Sequence, residues 1–402
     1  MARFRQLLRD TVIVVLIALS LLSIAELALR IIYPEKVLAY QFNPDYLVSL
    51  KPNVRKVFKR SSANGGGVVH WRTNSDSFRG LELEAKPDLR VIVYGDSNIQ
   101  ARFSSLEKTF PARLQHYLSL LYKRKVEVVN AGVVGFGPDQ SLLKFSGEIG
   151  RYKPDLAVFQ IFADNDFGDI VRNRLFELDD HGLLTRSKHK PTVDQEIKGI
   201  RKLLLTKAVD KLFRALVRRS SGSAADQSFP VEKTIEIGLS VSEKEYSIYA
   251  RREPRVFSHF ADHYDFDVSL HPNSEQAKTK VLLLERILEK TREVAAEHGV
   301  EPLFLIQPSS RDLSSNLPVN YHEMQKYPGY RRNGLSSIVE GICARHQLHC
   351  VNLFRSFLRN SPESLFFRAD DDHWNDTGQD LAAHETAEFV YNNALLTKRR
   401  VH

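Results

Sequence analysis

Short runs rich in apolar residues recur along the chain, and the segments between them space their apolar residues three or four positions apart. An uninterrupted apolar run predicts a strand that is buried on both faces, as in a parallel sheet. The run at residues 91–94, Val-Ile-Val-Tyr, shows this most clearly. Five such strands are predicted, at residues 90–94, 126–130, 156–162, 302–307 and 349–353.

The intervening segments carry the spacing of a helix with one apolar face. In residues 109–122, for example, Phe110, Leu114 and Leu118 form such a face, and Pro111 suits the first turn of a helix. Helices are predicted at residues 109–122, 140–149, 273–297, 335–345 and 377–395. Strands and helices alternate at short intervals, which predicts an α/β fold with a parallel sheet and right-handed crossovers.

The helix at residues 273–297 has sequence signals at both ends. Asn273 and Gln276 have the spacing of a capping box, and Gly299 suits the residue that ends a helix.

The alternation breaks down between residues 175 and 274. Residues 195–219 are predicted to form a basic amphipathic helix, which suits either an anionic membrane surface or ordinary packing with a solvated charged face. Residues 220–227 are predicted to form a polar loop. We interpret the region as a mostly helical insertion that caps the active edge of the sheet.

The N-terminal segment predicts the location of the protein. Arg3, Arg5 and Arg9 precede an uncharged apolar run at residues 11–25, and apolar character continues to Ile32. About 20 such residues suffice to cross a bilayer, and the arginine-rich end should remain cytoplasmic. We expect a single-pass inner-membrane anchor with the remaining chain in the periplasm.

A cleaved signal peptide is the alternative reading of this segment. Ser23 and Ala25 have acceptable cleavage spacing, but the apolar run continues past that point. Five segments follow from these boundaries: an anchor at residues 1–34, an entry segment at 35–85, the first part of the main domain at 86–174, the insertion at 175–274, and the second part of the main domain at 275–402.

Composition adds two constraints. The net charge of +8 suits an anionic lipid surface or an acidic polymer as well as nucleic acid, but no nucleic-acid motif accompanies it. We therefore expect no nucleic-acid partner. Cys343 and Cys350 are too few for a disulfide scaffold and lack metal-site spacing, so either one bridge or two buried thiols are compatible with the sequence. The glycines at residues 65–67 lack the lysine of a phosphate loop and suit a hairpin tip.

The first predicted strand delivers Gly95, Asp96, Ser97 and Asn98 to its carboxyl end. Ligands of open α/β sheets bind at this edge, so Ser97 stands where a nucleophilic hydroxyl is useful. A serine in this position also serves as a turn former or helix cap, and the stretch alone does not decide between these roles.

Three further polar segments should meet Ser97 at the same rim. These are the turn that contains Gly135, Asn165 after the third strand, and Asp370 with His373 before the last helix. Acyl transfer needs a nucleophile, a base, an acid that fixes the tautomer of the base, and donors for the oxyanion. Ser97, His373 and Asp370 can fill the first three roles. The backbone N–H groups of Ser97 and Gly135 and the side-chain amide of Asn165 can act as donors.

In chain order, these segments resemble the four signature blocks of the SGNH (GDSL) hydrolases: Gly95-Asp96-Ser97, Gly135, Asn165 and Asp370-x-x-His373. Residues 73–80, Thr-Asn-Ser-Asp-Ser-Phe-Arg-Gly, and residues 109–111 resemble segments around the nucleophile block in membrane-anchored bacterial members. The resemblance covers roughly residues 73–165 and 273–395. It implies a flavodoxin-like three-layer α/β/α sandwich, esterase activity, and neither a cofactor nor a metal.

The resemblance implies a Ser97, His373 and Asp370 triad, with Ser97, Gly135 and Asn165 as the oxyanion hole. Asp371 fits the Asp-x-His spacing of related polysaccharide O-acetyltransferases instead. We prefer Asp370, because here the serine block comes first and the histidine block last, as in the hydrolases.

Asp164 and Trp374 lie next to proposed site residues, and the sequence allows two interpretations of each. Asp164 stands where many members of the family have glycine, so its carboxylate either repels an anionic intermediate or points away. Trp374 either lines the pocket or supports the histidine loop.

A metal site is an alternative reading within the insertion. His259 and His263 lie four apart near Asp262, Asp265 and Asp267, although such residues more often form a polar loop.

Three functions remain open at this stage. The first is an esterase that removes O-acetyl or similar groups from an acylated cell-envelope or exported glycan. The second is an O-acetyltransferase that uses the same triad. The third is a non-catalytic glycan-binding or assembly protein. The sequence specifies no protein partner.

Overall fold

A computed structural model describes residues 2–32, 39–188, 192–193, 231–253, 256–257, 263–317, 324, 327–367 and 372–396. The strands β1 to β13 are Tyr40–Asn43, Leu47–Leu50, Arg55–Lys59, Val68–Arg72, Leu89–Tyr94, Val126–Asn130, Leu156–Phe162, Phe176–Leu178, Leu184–Arg186, Thr192–Val193, Val256–Phe257, Glu301–Gln307 and His349–Asn352. The helices α1 to α12 are Ala2–Ile32, Ser97–Gln100, Phe110–Tyr122, Pro138–Tyr152, Asp166–Asn173, Val231–Ala250, Phe266–Leu270, Glu275–Glu297, Ser310–Leu313, Gly334–Arg345, Phe354–Arg359 and Asp376–Asn392.

A five-stranded sheet in the order β13-β12-β7-β5-β6 forms the centre of the fold, and all of its pairings are parallel. It contains the five strands predicted from the apolar runs. Every residue of β7 is buried, as expected for a strand covered on both faces. The α/β prediction is confirmed.

Helices cover both faces of this sheet. On one face, Val91 and Val93 of β5 share a buried cluster with residues of α3, α11 and α12. On the other face, the rings of Tyr94 and Phe159 stack at 5.3 Å, and Phe145 of α4 packs edge-on against both rings. Because successive side chains of β5 point to opposite faces of the sheet, this strand packs against the helices on both sides.

The predicted capping box of the long helix α8 is wrong. Ser274 is the N-cap, and its hydroxyl accepts a hydrogen bond from the backbone N–H of Ala277. Serine at this position satisfies one of the unpaired donors of the first turn. Gly299 follows the helix with φ +63°, the left-handed conformation that suits glycine after a helix end.

The described part of the entry segment contains two antiparallel hairpins, β1-β2 and β3-β4. Gly65, Gly66 and Gly67 lie at the tip of β3-β4, all with positive φ. The glycine run therefore forms a hairpin tip, as the sequence suggests.

The insertion contains the β8-β9 hairpin, the two-residue parallel pair β10-β11, and the helices α6 and α7. The predicted basic helix at residues 195–219 and the polar loop at residues 220–227 lie outside the described residues. Helix α6 contacts α5 and α7, and α7 contacts α8, so this part of the insertion packs on the main domain.

Helix α1 contains a 20-residue apolar stretch, Arg9–Ala28, with a mean hydropathy of 2.5 and the length of a membrane span. A signal sequence has the same properties. Elsewhere, Cys343 of α10 and Cys350 of β13 are joined by a disulfide with a Cα–Cα distance of 6.3 Å.

Candidate functional site

Ser97 is the first residue of α2, directly after β5. The preceding residue, Asp96, caps the helix, and its carboxylate accepts the N–H of Asn98 at 2.7 Å. The N–H of Asp96 donates to Oε1 of Gln160 on the neighbouring strand at 2.8 Å. A Cβ on Gly95 would lie 2.3 Å from that same oxygen, so glycine is required there. The sharp turn presents Ser97 at the carboxyl edge of the sheet.

The structure brings His373 to Ser97, although 276 positions separate them. Nε2 of His373 lies 2.7 Å from Oγ of Ser97. At this distance the hydroxyl can donate to the ring nitrogen, which can then take up its proton when the serine attacks.

Trp374 holds the histidine loop in place. Its backbone N–H donates to Oδ1 of Asn98 at 3.0 Å, which ties the loop to the residue after the nucleophile. The indole is 1% exposed and packs against the rings of Phe110 and Phe357. Of the two readings of Trp374, support of the loop is the one that the structure bears out.

Of the three consecutive aspartates that precede His373, the structure describes Asp372. Asp370 and Asp371, the two residues considered from the sequence, lie outside the described residues. The third aspartate of the run, Asp372, is the one whose Oδ1 lies 3.3 Å from Nδ1 of His373. Both side chains are about one-third exposed. Because the three aspartates are consecutive in the sequence, Asp372 is also a candidate for the acid that orients His373.

The turn that contains Gly135 is fixed against the nucleophile helix. Nδ2 of Asn130 donates to the carbonyl of Ile99 at 2.8 Å. A Cβ on Gly132 would lie 2.5 Å from the backbone nitrogen of Gln100, so only glycine allows this approach. Gly135 itself has φ +71°. The turn thus stands at the rim with Ser97, and its role as an oxyanion donor stays a prediction.

Asn165 stands at the N-terminus of α5. Its carbonyl accepts the N–H groups of Gly168 and Asp169 and a 3.3 Å bond from Arg172. Asp164 beside it accepts the hydroxyl of Ser309 and lies 3.3 Å from the guanidinium of Arg311. The charge of Asp164 is therefore balanced on the β12 side, which favours the reading that it points away.

Buried ion pairs connect the insertion to the Asn165 segment. Arg172, 1% exposed, lies 3.1 Å from Glu245 of α6, and Glu245 lies 3.0 Å from His263. Burial lowers the pKa of His263, but the bond to Glu245 outweighs this and the pKa is raised on balance. Sequence reasoning missed this network because Arg172 and Glu245 are 73 positions apart.

The aspartates of the alternative metal site have another partner. Nζ of Lys280 lies 3.1 Å from Asp265 and 2.9 Å from Asp267, all fully buried. An ammonium group of the protein thus already binds these carboxylates. His259 and Asp262 lie outside the described residues.

No family model matches the chain, and no curated protein matches it. Similar solved structures include the lipase/acylhydrolase from Enterococcus faecalis, with 13% identity and a TM-score of 0.36 over 76% of this chain and 96% of that chain. A psychrotrophic esterase from Pseudoalteromonas sp. has 12% identity and a TM-score of 0.35 over 76% and 98%. A catalytic mutant of an acetylxylan esterase from Geobacillus stearothermophilus has 11% identity and a TM-score of 0.38 over 77% and 96%.

Proposed function

We propose that this chain is a serine ester hydrolase of the SGNH type. The observation that carries the proposal is the 2.7 Å contact between Nε2 of His373 and Oγ of Ser97. In the proposed reaction Ser97 attacks the ester carbonyl and His373 takes up its proton. His373 then protonates the leaving alkoxide, and water hydrolyses the acyl-enzyme with His373 as base.

The remaining roles follow the sequence resemblance. Asp370 orients His373, with Asp371 as the alternative. The backbone N–H groups of Ser97 and Gly135 and the side-chain amide of Asn165 stabilise the oxyanion. The fixed turns around Gly132 and Asn165 support this assignment, because donors of an oxyanion hole must be held rigid before the reaction.

A phosphonofluoridate probe tests the nucleophile. We expect the probe to label the full chain with 1:1 stoichiometry and Ser97→Ala to abolish labelling. Ser356→Ala, on α11, is the matched control and should label like the unaltered chain. Labelling that persists in Ser97→Ala would refute the assignment.

The proposed substrate is an acylated glycan of the cell envelope or an exported polysaccharide, and the removed group is O-acetyl or a similarly small acyl group. The proposed location supports this choice, since α1 would hold the domain on the periplasmic side of the inner membrane. Release of free acetate from an acetylated glycan fits hydrolysis. Net transfer of acetyl to a second glycan would make the chain an O-acetyltransferase instead.

The anchor has its own test. We expect the intact mass of the membrane-extracted protein to include residues 2–32. A mature protein that begins after Ala25 would show that α1 is a cleaved signal.

A further inference from the structure

The hairpin β3-β4 carries a large share of the net charge. Residues 55–72 contain five lysines or arginines and no aspartate or glutamate, whereas the whole chain of 402 residues has a net charge of +8. Two of the five have contacts on the protein: Nζ of Lys56 lies 5.9 Å from the centre of the Phe58 ring, and Arg60 lies 3.2 Å from Asp376. The catalytic proposal makes no use of the other three.

The two faces of this hairpin differ sharply. Val69 and Trp71 are buried, and Phe58 packs edge-on against Trp71 and Phe103, so this face rests on the domain. The opposite face is exposed along both strands. We call it the basic face, and it consists of Arg55, Val57, Lys59, Val68, His70 and Arg72.

The register of the strands concentrates like charges on the basic face. Arg55 is paired directly with Arg72, and Lys59, paired with Val68, lies at the other end of the same face. Like charges directly opposite each other on one face of a sheet are destabilising. Within the described part of the chain, Arg55, Lys59 and Arg72 form no ion pair. An anionic surface laid on this face would relieve the repulsion.

The basic face also exposes two apolar side chains. Val57 is 41% exposed and Val68 is 47% exposed, and they lie among the cations. Cations interleaved with exposed apolar side chains suit the headgroup region of a bilayer, where both kinds of group find partners. A soluble polyanion would satisfy the charges but not the valines.

Residues 33–54 join the end of α1 to this hairpin. A chain anchored by α1 keeps the hairpin within a short tether of the bilayer, which raises the effective concentration of lipid at the basic face. Arg3 and Arg5 of α1 precede the apolar stretch Arg9–Ala28 and are expected on the cytoplasmic side, so the basic face would meet the other leaflet.

We propose that the basic face of β3-β4 docks on the anionic phospholipid headgroups of the membrane in which α1 is anchored. This inference rests on the proposed anchor, and it is independent of the catalytic assignment. Docking would fix the orientation of the catalytic domain relative to the bilayer.

The full chain, placed in lipid nanodiscs, allows a direct test. Both cysteines of the sequence are in the Cys343–Cys350 bridge, so an added cysteine provides a single free thiol for a fluorophore. Val68→Cys labels the basic face, and Leu120→Cys, 61% exposed on α3, labels another surface. Neutral discs contain phosphatidylcholine alone, and anionic discs contain phosphatidylcholine with phosphatidylglycerol. A quencher attached to the lipid headgroups lowers the fluorescence of a label that contacts the bilayer surface.

With anionic discs we expect quenching at position 68 to exceed quenching at position 120 at least about threefold, and to fall as salt rises because salt screens surface charges. The triple variant Arg55→Gln, Lys59→Gln and Arg72→Gln should abolish this difference. A triple variant with the same loss of charge elsewhere, Lys123→Gln, Arg124→Gln and Lys153→Gln, should retain it. Equal quenching at both positions, or quenching that survives the basic-face variant, would overturn the proposal.

Two further outcomes are distinguishable. If soluble polygalacturonate displaces the lipid and protects position 68 from quenching, the occupant is an acidic glycan and the membrane proposal is wrong. If the chain does not remain in the discs, the anchor fails. The same label mixed with anionic vesicles then decides whether the basic face binds lipid by itself, and absence of quenching there overturns the docking proposal. Labelling of Ser97 by the phosphonofluoridate probe is measured separately in each experiment, so that failure of membrane docking is distinguished from failure of the catalytic proposal.

Discussion

The guanidinium of Arg79 donates a 2.6 Å hydrogen bond to the main-chain carbonyl of Ser104, at the end of the loop that follows Ser97. The same side chain binds the carbonyls of Gln100 and Ala101. Arg79 is 3% exposed, and burial lowers its pKa to about 9. Within the described residues it forms no ion pair with a carboxylate, so main-chain oxygens hold this buried charge. Arg79 thereby fixes the end of α2 and the loop that follows the proposed nucleophile.

Arg79→Lys should lower kcat without a comparable change in KM. A lysine ammonium lacks the planar fork of arginine and cannot keep all three carbonyls in place. We expect kcat for p-nitrophenyl acetate to fall about 10- to 100-fold, since small displacements of a nucleophile have effects of this size. KM should change less than about threefold, because the small ester makes few contacts that the loop could alter.

Arg90→Lys is the matched control for Arg79. Arg90 binds the carbonyls of Glu84 and Tyr152 and the carboxylate of Glu127, at the opposite end of β5 from Ser97. It should lower the melting temperature and leave kcat of the folded enzyme unchanged. An equal loss of kcat in both variants would mean that Arg79 contributes only to stability.

Gly95→Ala should strongly reduce activity. The new Cβ would lie 2.3 Å from Oε1 of Gln160 and 2.6 Å from Cγ1 of Ile99, so the turn before Ser97 must shift. We expect probe labelling to slow at least about 100-fold, with overpacking costing roughly 1–3 kcal/mol of stability. Gly150→Ala in α4 is the control, because nothing lies within 4 Å of its added Cβ. Normal labelling of Gly95→Ala would show that the turn is not as tight as its contacts indicate.

The sequence predicts the central sheet well, because each buried strand is indicated by an apolar run within its own residues. The stretch from Val91 to Tyr94 is one example, and the predicted convergence at the sheet edge follows from parallel topology. The exact start of α8 is not predictable in this way, because Asn273 and Ser274 are adjacent and both residue types are good N-caps; in the structure it is the hydroxyl of Ser274 that accepts the N–H of Ala277.

Other features of the site are not local and were not predictable. Arg79 lies in a segment that the sequence marks only by resemblance, and its contacts to residues 100–104 arise from the tertiary fold. The pairing of Arg172 with Glu245 likewise joins the main domain to the insertion. Neither the charge of a residue nor its spacing in the sequence identifies its partner in such a contact. Each residue, taken alone, has the pattern of an exposed charged residue.

Substitution of the three aspartates one at a time should identify the acid that orients His373. We expect Asp370→Asn to slow probe labelling at least about 1,000-fold, since loss of the triad acid leaves the imidazole in the wrong tautomer. Asp372→Asn should slow it at most about tenfold, because this carboxylate is partly exposed and its attraction for His373 is screened by water. Asp371→Asn should have little effect. A loss confined to Asp372→Asn would assign the role to Asp372.

Asp139, at the start of α4, should make the protein less stable as pH rises. Its carboxylate is fully buried and accepts the side chain of Asn173 and the N–H of Gln140, both at 2.9 Å. Burial raises its pKa to about 7, well above the value of about 3.9 expected in the unfolded chain. The folded state therefore holds this proton more tightly, and stability is lost as pH rises from about 4 to about 7.

Asp139→Asn removes the titrating group and should flatten this dependence. Relative to the unaltered chain, the variant should gain about 2–3 kcal/mol between pH 5 and pH 8, which is the free energy that a pKa raised to about 7 implies over this interval. Urea unfolding at both pH values measures the difference. Asp180→Asn, an exposed change in the β8-β9 turn, should follow the unaltered chain. Equal pH slopes for Asp139→Asn and the unaltered chain would mean that Asp139 is ionised in the folded protein, because only a group that takes up a proton on folding couples stability to pH in this direction.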